Sequence, residues 1–149
     1  MKAIIALLLL CFSFACQTKS SQNNTTKNED SLAIVSMLDQ QVKSWNKADI
    51  NGFMQGYWHS SELKFISKKG TRFDYDSVSA NYKRHYDSKE KMGQLSFHQL
   101  NVYPLAESPK TYQVTGEWSI SGQTNSGGYF SLLIQEKDKA WKIVVDHTW

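Results

Sequence analysis

The sequence has 149 residues, of which 40% are hydrophobic and 13% aromatic, which suits one globular domain with a packed core rather than a disordered chain. Its 17 basic and 14 acidic side chains give a formal net charge of +3, and the two signs are interleaved along the chain. Because no stripe of lysine and arginine stands out, we do not expect a nucleic-acid partner.

Residues 1–15 have the pattern of an export signal. Lys2 precedes an apolar run that is shorter than the roughly 20 residues needed to span a bilayer. Ser13-Phe14-Ala15-Cys16 resembles the lipobox of bacterial lipoproteins, with Ser13 where leucine is usual. The resemblance implies that Cys16 is lipidated and anchors the protein at the bacterial cell envelope. The alternative is an ordinary signal peptide that is cut at or near Ala15.

The only two cysteines are Cys11 and Cys16, and Cys11 leaves with the signal. The mature chain therefore has no internal disulfide, no cysteine nucleophile and no cysteine-based zinc site. Residues 16–30 contain no aliphatic or aromatic side chain after Cys16, so they predict a disordered tether. A single domain is expected over residues 31–149.

Three helices are predicted at the start of this domain. Residues 31–47 place apolar side chains on one helical face, and Asp49 is a suitable N-cap for a short second helix. Asp76 or Ser77 would cap the third. The residues on one side of that third helix are Val78, Tyr82, His85 and Tyr86.

Strands dominate the rest of the chain. A short strand is predicted over residues 62–67 with a turn at 68–70, and longer strands begin after Gly93. The longer strands cover residues 95–105, 111–120, 129–136 and 140–149.

The last of these strands is predicted to lie centrally in a sheet, because it is rich in β-branched and aromatic residues. Strand side chains alternate between faces. The face predicted to point inward carries Trp141, Ile143, Val145, His147 and Trp149. The face predicted to point outward carries Lys142, Val144, Asp146 and Thr148.

The segment Asp49-Ile50-Asn51-Gly52-Phe53-Met54 and the closing strand, with Trp141, Ile143, Asp146, His147 and Thr148, resemble the SnoaL-like branch of the nuclear transport factor 2-like superfamily. The resemblance covers residues 31–149. It implies an α+β fold in which a curved, cone-shaped antiparallel sheet wraps around three N-terminal helices, as a cystatin-like roll with a pocket at its open end. Members include ketosteroid isomerases, polyketide cyclases, dehydratases and oligomerising domains, so the fold leaves the function open.

His147 is the first candidate for a functional side chain, because it lies where the apolar face of the last strand ends. It could bind a ligand or move a proton near neutral pH, or it could be a packed structural residue. His85 is the second candidate for an acid–base group. The predicted ligand-binding residues are Tyr57, Trp58, Tyr82, His85, Tyr86, Trp118, His147 and Trp149. The alternative for most of the aromatic ones is simple core packing.

Other kinds of site find little support in the sequence. His59, His85 and His98 have no metal-ligand spacing, and no phosphate-binding or dinucleotide motif occurs, so we predict neither a metal nor a cofactor. Glu117 and Asp146 fall on the outward face of their strands, which argues against a carboxylate-based isomerase.

The sequence thus predicts a lipid-anchored protein of the cell envelope that binds a small, partly apolar ligand in an aromatic-lined pocket. One alternative is a cofactor-independent isomerase, cyclase or dehydratase that uses a pocket histidine. The other is an interaction module that forms a homodimer through the open sheet face around Val144.

Overall fold

The computed structural model of the protein describes residues 18–123 and 125–149, so the predicted export signal and Cys16 lie outside the described residues. In chain order the described elements are α1 (Thr18–Asn46), α2 (Ile50–Met54), β1 (Lys64–Ser67), β2 (Gly70–Phe73), α3 (Tyr75–His85), α4 (Lys89–Met92), β3 (Gln94–Glu107), β4 (Lys110–Ser121), β5 (Ser126–Lys137) and β6 (Ala140–Thr148). No helix within these two ranges is long and apolar enough to span a bilayer.

The strands form one sheet in the order β2-β1-β6-β5-β4-β3, and its inner face packs against the helices. The predicted α+β class, with helices inside a curved sheet, is confirmed, and β6 lies within the sheet as expected. The sheet is mixed rather than wholly antiparallel, because β1 runs parallel to β6 and pairs Lys64 with Val145 and Ile66 with His147. Hairpin rules could not predict this pairing, since the two strands are far apart in sequence.

The first helix begins much earlier than the sequence predicts. Residues 18–30, for which we predict a disordered tether, belong to α1. At the end of this segment, charged and polar contacts with the sheet take the place of apolar contacts. Lys27 Nζ lies 3.3 Å from Glu107 Oε1, and Asp30 accepts hydrogen bonds from Lys110 Nζ at 3.2 Å and from Tyr112 Oη at 3.1 Å. These contacts join the helix to the β3–β4 hairpin.

Helix caps fix where the next two helices begin. Asp49 caps α2 as predicted, and its Oδ1 accepts the Gly52 N–H at 2.8 Å. The prediction that Asp76 or Ser77 caps α3 is wrong. Asp74 is the cap, and it accepts the Ser77 N–H at 2.6 Å. The sequence pattern does not predict β2, which ends directly before Asp74 and so places the start of the helix earlier.

A β-bulge in β6 decides which side chains face the helices. Leu133 pairs with Val145 and Ile134 with Ile143, so Val144 is an extra residue in β6. A one-residue shift moves every later side chain to the other face. The predicted alternation is right at Ile143, which is buried.

Beyond the bulge the predicted faces of β6 are wrong. Asp146 points inward and is only 4% exposed, whereas His147 points outward and is exposed. Thr148 shares the inner face with Asp146. Val144, which we predict on an open face, is also buried.

Candidate functional site

A cavity of about 400 Å³ lies between the helices and the inner face of the sheet. Its walls are mainly aromatic and aliphatic, and they include Trp45, Phe53, Phe65, Phe97, Phe130 and Ile143. A cavity of this size, with mostly apolar walls and a few polar groups, is typical of sites for small molecules.

Six of the eight residues predicted to bind a ligand line this cavity. They are Tyr57, Tyr82, His85, Tyr86, Trp118 and Trp149. Trp58 lies elsewhere. It follows Tyr57 where the chain runs beside β6, and the Nζ of Lys137 lies 4.2 Å from the centre of its ring. His147 lies on the outer face of the sheet because of the bulge, with its ring centre 5.0 Å from that of Trp149.

Asp146 is the acidic side chain in the cavity wall, and two hydroxyl groups hold it. Tyr57 Oη donates a hydrogen bond to Asp146 Oδ2 at 2.7 Å, and Thr148 Oγ1 donates to Oδ1 at 2.7 Å. Tyr82 Oη lies 3.4 Å from Tyr57 Oη and extends the chain of hydroxyls. The prediction that Asp146 lies on the outward face of its strand, away from the cavity, is therefore wrong.

Burial dominates the electrostatics of this group. Loss of solvent raises the pKa of Asp146 above 3.8, and the hydrogen bonds from Tyr57 and Thr148 only partly oppose this shift. Burial, with the charge of Asp146 next in importance, also raises the pKa of Tyr57 and of Tyr82. The two phenols therefore remain hydrogen-bond donors at neutral pH, beside a carboxyl group that ionises reluctantly.

Two further polar atoms are buried without a partner in the described part of the chain. They are Trp118 Nε1 and Asn81 Oδ1, and both residues line the cavity. A buried donor or acceptor without a partner costs free energy, and native structures rarely retain one without a reason. Gly128 adjoins this indole, because a Cβ at that position would meet Trp118 Nε1 at 3.0 Å.

The mouth of the cavity is basic. Lys68, Lys69 and Arg72, in and beside the turn of the β1–β2 hairpin, line the cavity and are exposed to solvent. His85 is also exposed at the cavity, and its Nδ1 lies 2.8 Å from the carbonyl oxygen of Asn81. The sequence predicts only a turn at residues 68–70, and it does not indicate that their charges lie at a cavity.

The remaining histidines are on the surface. His59 stacks on Tyr75 with ring centres 4.2 Å apart, and His98 Nε2 lies 3.2 Å from Ser119 Oγ. Among residues 18–123 and 125–149, no three histidine, cysteine or carboxylate side chains come together as metal ligands.

One sequence signal could have identified Asp146 as a cavity residue. Ile143-Val144-Val145 places three β-branched apolar residues in succession, which simple alternation cannot bury on one face. A bulge resolves this conflict, and it turns Asp146 inward.

The fold and cavity define a cystatin-like α+β roll with an internal site. The chain is 32% identical to a nuclear transport factor 2-like protein of unknown function from Shewanella oneidensis, with a TM-score of 0.75 over 80% of this chain and 98% of that one. The chain belongs to the nuclear transport factor 2-like superfamily.

More distant structures share the fold alone. A nuclear transport factor 2-like superfamily protein from Salmonella enterica is 18% identical, with a TM-score of 0.63 over 84% of this chain and 92% of that one. A protein of unknown function with a cystatin-like fold from Nostoc punctiforme is 8% identical, with a TM-score of 0.61 over 80% of this chain and 89% of that one. No family model and no curated protein matches the sequence.

The raised pKa of Asp146 predicts how the free energy of unfolding depends on pH. Between the unfolded and the folded pKa the native state binds more protons, so the wild-type free energy of unfolding falls as pH rises through this interval. Asp146→Asn does not titrate and keeps acceptors and donors for Tyr57 and Thr148. Urea unfolding from about pH 4 to about pH 7 should therefore show the variant gaining stability relative to wild type as pH rises.

Glu136→Gln on the exposed end of β5 is the matched control and should show no such gain. A relative loss of stability for Asp146→Asn as pH rises would contradict the direction of the shift.

Proposed function

We propose that the cavity binds a small molecule with an apolar, ring-containing body and at least one polar group. The observation that carries this proposal is the unpartnered Trp118 Nε1 inside an aromatic cavity. Its N–H can donate to a ligand oxygen that replaces the missing partner.

The rest of the wall fits the same kind of ligand. The rings of Phe97 and Phe130 meet edge to face at 5.2 Å, so they offer firm apolar surface for a planar body. The hydroxyls of Tyr57 and Tyr82 and the carboxyl of Asp146 give a polar group further partners. A flat compound with one hydroxyl or carbonyl group would satisfy both parts of the wall.

Binding of a neutral probe tests this function. Calorimetric titration with naphthol should show binding by wild type, and Trp118→Phe should weaken it by roughly threefold to tenfold, because one hydrogen bond of about 1 kcal/mol is lost. Trp58→Phe is the matched control and should leave the affinity unchanged, since that ring lies outside the cavity. Equal losses in both variants, or no binding of naphthol and related ring compounds by wild type, would count against the site.

Proton transfer by Asp146 is the second candidate function. The resemblance of residues 49–54 and of the closing strand to the SnoaL-like branch would place isomerases, cyclases and dehydratases among the relatives. A buried carboxyl group with a raised pKa, beside two phenols, is suited to general acid–base catalysis. A histidine is a weaker candidate for the acid–base group, because His147 lies on the outer face of the sheet and His85 lies at the mouth of the cavity.

A catalytic role for Asp146 can be tested by measuring turnover and ligand affinity separately. If the protein isomerises an unsaturated ketone, Asp146→Asn should abolish turnover and keep ligand affinity, whereas His147→Gln should change neither. Turnover that survives in Asp146→Asn would exclude the carboxyl group as the acid–base residue.

Exposed aromatic residues on the outer sheet face support a homodimer, in which the partner is a second copy of the chain. Tyr129, on the outer face of β5, is 55% exposed, and its ring stacks with its centre 6.3 Å from that of Trp149, which is 45% exposed at the end of the sheet, where it also borders the cavity. Exposed aromatic residues are enriched at protein interfaces. Sedimentation of wild type should show a dimer, and Tyr129→Ser should shift it toward monomer; wild-type monomer at high concentration would remove this proposal.

Attachment to the cell envelope through a lipid on Cys16 completes the proposal. It rests on the resemblance of residues 13–16 to a lipobox. When the full chain is expressed in a bacterium, the wild type should sediment with membranes, and Cys16→Ser should not. Cys11→Ser is the control and should still sediment with membranes. A soluble wild type would instead support an ordinary signal peptide.

A further inference from the structure

The charge at the mouth of the cavity indicates the chemical class of the ligand. Lys68, Lys69 and Arg72 lie together on one hairpin, and their side chains are exposed. Within the described part of the chain, none of the three takes part in an ion pair. Three positive charges therefore face the entrance without a carboxylate from the protein to neutralise them.

The inside of the cavity does not balance this charge. Asp146 is the acidic residue of the lining, so at most one negative charge inside stands against three positive charges at the mouth. A cleft with low-dielectric walls and one sign of charge at its entrance concentrates ligands of the opposite charge. The field at the mouth thus favours an anion over a neutral molecule.

We propose that the ligand is a ring-bearing organic anion whose ring lies between the aromatic walls and whose anionic group lies among Lys68, Lys69 and Arg72. The proposal rests on the ligand-binding function given above and assigns the ligand to a chemical class. The planar guanidinium of Arg72 can hold a carboxylate through two parallel hydrogen bonds. A hydroxyl at the far end of the ring would then meet the hydroxyls beside Asp146.

A purely structural role for the basic residues is the competing account. Strand β2 is an edge strand with all its residues exposed, and lysine or arginine at such an edge discourages pairing with other chains. That role predicts no preference of the cavity for anions. The two accounts therefore differ in ligand binding and can be separated by experiment.

The test compares hydroxynaphthoate with its uncharged methyl ester by calorimetric titration of the intact folded protein. Wild type should bind the anion roughly tenfold more tightly than the ester at low salt, because three exposed cations each contribute modestly. This preference should shrink at high salt. The variant Lys68→Gln/Lys69→Gln/Arg72→Gln should lose the preference while still binding the ester.

The matched control removes the same charge elsewhere. Lys47→Gln/Lys89→Gln/Lys139→Gln changes three exposed lysines outside the cavity wall and should keep the preference for the anion. If the triple variant at the mouth unfolds, Arg72→Gln alone should still reduce the preference. Equal affinity of wild type for anion and ester would overturn the assignment and leave ligand binding intact, whereas failure of both probes to bind would overturn the ligand site itself.

Discussion

The hydrogen bond from Tyr57 to Asp146 is the interaction on which the site depends. It joins the segment after α2 to the last strand, and it holds a carboxyl group that is only 4% exposed. Burying such a group costs free energy, and hydrogen bonds offset only part of this cost. Asp146 faces inward because the bulge at Val144 shifts the alternation of β6. Because a buried acid costs stability, its position in the cavity wall supports the proposed ligand site.

The cavity separates three kinds of contact along its length. Aromatic walls supply apolar surface, the hydroxyls around Asp146 supply hydrogen bonds inside, and Lys68 and Lys69 supply charge at the entrance. For the ring-bearing anion proposed above, this order would fix the orientation of the ligand, since its anionic end could not exchange places with its ring without losing both kinds of contact.

Much of this architecture can be predicted from sequence, because helix periodicity and strand alternation are local properties. The α+β class, the Asp49 cap and the inward face of Trp118 follow from such patterns. The sides of Asp146 and His147 could not be predicted by alternation, since one extra residue reverses them. The helical structure of residues 18–30 could not be predicted from local sequence, because the ion pairs of Lys27 and Asp30 are made with distant strands.

Titration of the side-chain carboxyl carbon of Asp146 by NMR tests the central claim most directly, with Asp146→Asn to assign the resonance. A carboxyl group that faces an enclosed cavity should titrate with a midpoint above 3.8, and the midpoint should move when a ligand fills the cavity. A midpoint at or below that value, unchanged by any ligand, would contradict the account of Asp146 as a buried carboxyl group in the wall of a ligand site.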